Sequence, residues 1–99
     1  MVKISKYDAA VYLKSPEMIA AYLSEALESN DPAVISKAID AVARAKGMAT
    51  VAQETGLTRE SLYKTFNGTT KPEFDTVRKV MDSFGLKIVV EPKEDGKAA

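Results

Sequence analysis

The chain has 99 residues, 45% of them hydrophobic, with 14 basic and 14 acidic side chains and neither cysteine nor histidine. That length predicts one domain around one core, and without cysteine there is neither a disulfide framework nor thiolate chemistry. The longest aliphatic run, Ile88-Val89-Val90, is far short of the roughly 20 residues a membrane span needs.

Neutrality would argue against a nucleic-acid partner, but the charge is unevenly spread. Residues 1–40 hold four basic and six acidic side chains, residues 41–79 seven and four, and the remainder three and four. The positive excess is therefore in the middle of the chain. Local charge is what a phosphate backbone feels, within a Debye length of about 10 Å.

The opening "MVKISKYD" turns polar at once and does not read as a secretory signal, so the expected location is the cytoplasm. Val2-Lys3-Ile4 alternates as a short strand does, and Asp8 can cap a turn or short helix reaching Leu13. Ser15 followed by Pro16 predicts the start of a helix with Ile19, Tyr22, Leu23, Ala26 and Leu27 on its inward face. Asp31-Pro32 repeats that start, Ile35, Ala38, Ile39 and Val42 form the next stripe, and Gly47 stops it.

Residues 48–55 and 58–66 then predict two short helices separated by Gly56-Leu57, the second closed by Asn67-Gly68. Pro72 restarts a helix with Phe74, Val77, Val80, Met81 and Phe84 inward, which Gly85 ends. "KIVVEP" predicts a strand ended by its proline. The expected organisation is a single, mainly α domain over 1–91, with five to six helices and short terminal β-strands. The charged tail 92–99 is expected to be disordered.

Two helices that cross steeply need a small residue at the contact and a sharp turn between them. Ala52 supplies the first and Gly56 the second, and Val51, Leu57 and Leu62 point inward. The outer face of the second helix is then Arg59, Glu60, Tyr63, Lys64 and Asn67, preceded by Thr58 and flanked by Lys71. Such a face fits a major groove about 12 Å wide. Taken alone, the Ala-x-x-x-Gly spacing fits an αα-hairpin with a solvated surface equally well.

The order of the whole block, from "VA" through Gly56-Leu57 and "FNG" to "KPEFDTV", resembles the Cro/C1-type helix-turn-helix family. The stretches "YDAAVYL", "IAAYLSEALESNDPAVISKAIDAVARAKGM", "TGLTRESLYKTFNG" and "PEFDTVRKVMDSFGLKIVV" extend the likeness from Tyr7 to Val90. Together they are similar to the addiction-module antidote proteins, the HigA-type antitoxins. The resemblance implies an antitoxin that neutralises a HigB/RelE-like toxin and binds double-stranded operator DNA as a homodimeric autorepressor. The alternative is a Cro/C1-type repressor with no toxin partner, and a third class is an interaction module that has lost DNA binding. Two positions depart from the family pattern. Ala49 stands where a serine or threonine often caps, so that either Thr50 caps instead or the helix starts less firmly. Thr65 lies near a position usually apolar, where its hydroxyl could bond back to the carbonyl of Ser61.

Arg59 is read as a bidentate contact to guanine or a phosphate clamp, against an exposed arginine paired with a nearby carboxylate. Tyr63 and Lys64 can reach a base edge or phosphate one turn on. Asn67 reads as a structural helix cap rather than as a base reader. Glu60 repels phosphate, so at a DNA face it must accept from cytosine or orient Arg59. Residues 1–40 read as completing the core, or as an acidic face for a basic partner such as the basic ribonucleases the resemblance implies. No histidine, glycine-rich phosphate loop or carboxylate pair supports an enzyme, and no catalytic residue, metal or cofactor is expected.

Overall fold

The computed structural model describes residues 13–93, and within them the chain forms five helices. These are α1 (Pro16–Glu28), α2 (Pro32–Lys46), α3 (Met48–Thr55), α4 (Arg59–Thr65) and α5 (Phe74–Ser83). The expected strand at 2–4, the short helix from Asp8 and the tail end 94–99 lie outside the described residues. None of the five helices is long and apolar enough to cross a membrane.

Each long helix starts where its cap dictates. The Ser15 hydroxyl accepts from the Met18 N–H at 3.2 Å with Pro16 at the first position, and the Asp31 carboxylate accepts from the Ala33 N–H at 3.0 Å. Between them, the Ser29 hydroxyl donates to the Ala26 carbonyl at 2.6 Å and accepts from the Asp31 N–H at 3.1 Å. Asn30 takes the left-handed conformation at φ 55°, which asparagine tolerates better than most residues. The turn is thus built by "SND" rather than by glycine.

Gly47, at φ 107°, both ends α2 and precedes α3. Its N–H donates to the Ala43 carbonyl at 2.8 Å, and its own carbonyl accepts from the Val51 N–H at 3.0 Å. No side chain caps α3, so of the two expected starts Thr50 does not act as the cap. With one glycine shared by two helices, α3 begins two residues before Thr50.

Helix α1 packs on α2, α2 on α3 and α4, and α3 on both α4 and α5. The centre of the core is Ile39 and Val42 from α2, Val51 from α3, Leu62 and the following Phe66 at α4, and Val80 from α5, each at most 2% exposed. Phe84 returns the end of α5 to the start of α1, where Pro16 Cγ lies 3.6 Å from the position a Cβ on Gly85 would take.

Two inward assignments and one expected strand change. Leu27 is 51% exposed, because among the described residues α1 buries only the narrow stripe of Ile19, Leu23 and Ala26, mainly against α2. Helix α5 begins at Phe74 instead of Pro72, and Phe74 is 69% exposed. It shares the stripe of Val77 and Met81, but as the first residue of the helix it lies at the end of that stripe, where no element among the described residues covers it. The segment 87–92 forms no strand, and Val90 is 94% exposed. A strand requires a partner for its N–H and C=O groups, and the described residues contain no other strand.

Gly56 has φ 79° and no atom within 4 Å of where a Cβ would stand. Substitution there therefore strains only the backbone. Gly56→Ala should cost about 1–2 kcal/mol, Gly56→Asn less and Gly56→Val more. Leu62→Ala should cost about 2–5 kcal/mol, a fall of at least roughly 8 °C in Tm. Ala52→Leu should cost about 1–3 kcal/mol by overpacking. Thermal melts by circular dichroism read all five variants, and unchanged midpoints would contradict the close crossing of α3 and α4.

Candidate nucleic-acid interface

The turn between α3 and α4 is hydrogen-bonded throughout. The Gly56 N–H donates to the Ala52 carbonyl at 2.9 Å. The Thr55 hydroxyl donates to the Val51 carbonyl at 2.7 Å and accepts from the Leu57 N–H at 3.3 Å. The back-bonding threonine of this region is thus Thr55, whereas Thr65 makes no such bond to Ser61. Thr58 caps α4, its hydroxyl accepting from the Ser61 N–H at 3.0 Å.

Leu62 and Phe66, one turn apart and both buried, set the rotation of α4. At 100° per residue, the direction opposite them is occupied by Glu60 and Lys64. Arg59 and Tyr63 lie on one flank, and the half-buried Ser61 and Thr65 on the other. Arg59, Glu60, Lys64 and Lys71 are exposed, and none forms an ion pair among the described residues. The alternative reading of Arg59 as a partner of a nearby carboxylate therefore finds no carboxylate.

Asn67 follows the helix as a loop organiser. Its carboxamide oxygen accepts from the Thr69 N–H at 2.8 Å, the Thr69 hydroxyl at 2.9 Å and the Thr70 hydroxyl at 3.2 Å. The Thr70 hydroxyl also donates to the Lys64 carbonyl at 3.0 Å, tying the loop to the end of α4. Gly68 has φ 94°, and a Cβ there would stand 3.0 Å from Lys37 Cε. Lys71 leaves this loop exposed, next to the helix end.

Two residues of α2 border the face, and spacing along the sequence does not single them out as members of it. Lys37 lies against the Gly68 loop. The Arg44 guanidinium carbon stands 4.8 Å from the centre of the Tyr63 ring, and Arg44 Nε donates to Asp40 Oδ2 at 2.7 Å. The hydrogen bond to Asp40 raises the Arg44 pKa above its ordinary value, so this side chain is a cation under all ordinary conditions. A cation over an exposed ring contributes about 0.5–1 kcal/mol. Periodicity does reveal that Asp40 and Arg44 are one turn apart, but not that α2 passes beside Tyr63.

Two other cations of the basic middle segment are engaged elsewhere. Arg78 donates to Asp75 at 2.8 Å, and Lys79 lies 3.4 Å from the same carboxylate. The hydrogen bonds from Arg78 and then Lys79 hold the Asp75 pKa below the ordinary carboxylate range. A depressed carboxylate stabilises the fold above its unfolded pKa of about 3.9. That contribution fades as pH falls through the lowered value. The positive charge left free beside α4 is therefore Arg59, Lys64 and Lys71, with Lys37 and the outer edge of Arg44. Among the described residues, no group of three or more acidic side chains could hold a metal ion.

This arrangement presents a short, capped helix with cationic and planar hydrogen-bonding groups outward and two apolar anchors inward. Comparison with known proteins places it in context. The model of a family described as "Probable addiction module antidote protein" matches residues 3–92. A protein of Haemophilus influenzae, described as an "Uncharacterized protein", is 38% identical over 89 residues, covering 90% of this chain and 92% of its own. No solved structure matches the chain.

Thr58→Ala removes the cap of α4 and should cost about 0.5–2 kcal/mol, whereas Thr58→Ser should retain most of it. Chemical denaturation of the two variants measures the difference. Equal stability would mean that the Thr58 hydroxyl does not hold the start of α4.

Proposed function

The chain belongs to the family of probable addiction module antidote proteins, and on that premise we propose an antitoxin that neutralises a HigB/RelE-like toxin and represses its own promoter. In this reading α3 and α4 are a helix-turn-helix, and α4 is the recognition helix in the major groove. The observation that carries it is the outward face of α4. Lys64 projects from the side opposite Leu62 and Phe66 and Arg59 from the flank, both without carboxylate partners among the described residues, with Lys71 beside the helix end. Arg59 is the candidate for bidentate guanine recognition, and Lys64 and Lys71 for phosphate. Thr58 holds the helix start, Tyr63 lies on the flank, and Asn67 acts through the loop it organises. Glu60, beside Lys64 at the apex, selects cytosine if it meets a base edge.

The candidate surface for the toxin is α1 and the turn that follows it. Glu17, Glu25, Glu28 and Asp31 are exposed along α1 and its turn, which suits a basic partner. A two-fold dimer would place two recognition helices roughly 34 Å apart, one turn of DNA. The extended segment 87–92 is the candidate for holding that dimer. Ile88, Val89 and Val90 are 48%, 60% and 94% exposed, and the backbone is unpaired among the described residues. Pairing with residues 2–5 of a second copy, or with the same segment of it, would cover both the apolar side chains and the free N–H and C=O groups and hold the dimer, whereas pairing with residues 2–5 of the same chain would not.

The triple variant Arg59→Ala, Lys64→Ala, Lys71→Ala should remain folded, because all three side chains are exposed. Its affinity for the duplex upstream of its own gene should fall, and the salt slope should drop by about 0.9 for each phosphate that is no longer neutralised. It should still co-purify with a small basic protein encoded next to it. Wild-type binding of the duplex by the folded triple variant would refute the recognition face, and DNA binding with no toxin partner would favour the repressor-only alternative.

Truncation after Leu86 should yield a monomer with weakened operator binding. Sedimentation of the truncated chain as a dimer would move the interface to the helices.

A further inference from the structure

The Asp40–Arg44–Tyr63 cluster bridges α2 and α4. We propose that Arg44 is itself a DNA-phosphate contact, oriented by Asp40 and Tyr63, so that the nucleic-acid face extends from α4 onto α2. This rests on the reading of α4 as a recognition helix. Arginine presents five N–H donors in a planar fork. One of them, on Nε, is taken by Asp40 Oδ2 at 2.7 Å. The plane of the group is restrained by the Tyr63 ring, 4.8 Å from the guanidinium carbon. The two terminal nitrogens have no partner among the described residues, and the side chain is 58% exposed.

An arginine serving only as half of a surface ion pair would need neither the ring nor a free outer edge. Here the inner edge and one face are occupied, and what remains is the edge that binds an anionic oxygen pair. Because Tyr63 lies on the flank of α4 that faces α2, an anion at that edge would be next to the groove-facing side chains. Asp40, only 21% exposed, lies behind the guanidinium and offsets its charge in the free protein without blocking the outer edge. Held this way, the fork loses less side-chain entropy on binding than a free arginine would.

The test compares Arg44→Ala, Arg44→Lys and Asp40→Asn with wild type, each verified as folded by circular dichroism. The probes are the duplex upstream of the gene and a shuffled duplex of equal composition, titrated at several salt concentrations. Arg44→Ala should weaken both duplexes by a similar factor, about tenfold, and reduce the salt slope by about 0.9. Arg44→Lys should restore the slope but only part of the affinity, because a point charge replaces the fork. Asp40→Asn keeps an acceptor for Arg44 Nε and removes a negative charge beside the bound phosphate, so it should bind at least as tightly as wild type with the slope retained.

Wild-type affinity and slope in Arg44→Ala, while the Arg59, Lys64 and Lys71 variant is impaired, would overturn the proposal and leave the recognition helix standing. Lost discrimination between the two duplexes at an unchanged slope would also overturn it, since Arg44 would then act only through Tyr63. Failure of the wild-type protein to bind either duplex would remove the DNA reading and this proposal together.

Discussion

The burial of Leu62 and Phe66 against Ile39, Val42, Val51 and Val80 governs the rest of the molecule. These two side chains belong to a seven-residue helix and the residue that closes it. A helix so short has little stability of its own, and its conformation is maintained by what it buries. Once both anchors are inward, helical geometry leaves no freedom in where Arg59, Glu60, Tyr63 and Lys64 point. The cap at Thr58 and the Asn67–Thr70 loop then hold the two ends. The exposed face is the geometric complement of the core, and a change in either anchor alters both.

Charge follows the same division. A neutral chain can present a cationic surface when its carboxylates are placed elsewhere or matched with other cations. Here α1 and its turn carry exposed acids, and Asp75 engages Arg78 and Lys79 on α5. Of the seven basic side chains in residues 41–79, Arg78 and Lys79 are engaged and Lys46 lies at the end of α2, so Arg59, Lys64 and Lys71 remain around α4, joined by the outer edge of Arg44. Net charge conveys little about such a surface, because fields at the range of a phosphate contact depend on which cations are already paired.

Capping explains both the successes and the misses of the helix boundaries. Ser15-Pro16 and Asp31-Pro32 act within a few residues, so their hydrogen bonds appear where local chemistry places them. Local chemistry leaves open whether Thr50 caps α3, and Gly47, which joins α2 directly to α3, leaves Thr50 inside the helix. Periodicity assigns Leu27 and Phe74 to the core. It identifies an apolar face but not how wide a strip of it a neighbour covers, and both residues are exposed.

What the sequence by itself determined is local. It specified the helical segments, the left-handed turn at Gly56, the inward direction of Val51, Leu62, Val80 and Phe84, and the polar composition of the face opposite them. Each depends on interactions within about one helical turn, for which residue type and spacing suffice. Only the tertiary structure decided which cations are free, that Arg44 lies over Tyr63, that Lys37 borders the Gly68 loop, and that residues 87–92 are unpaired among the described residues. Those outcomes join positions on separate helices and loops, or depend on a strand partner elsewhere in the chain. Contacts of that kind arise from how helices cross, which no spacing along one segment encodes.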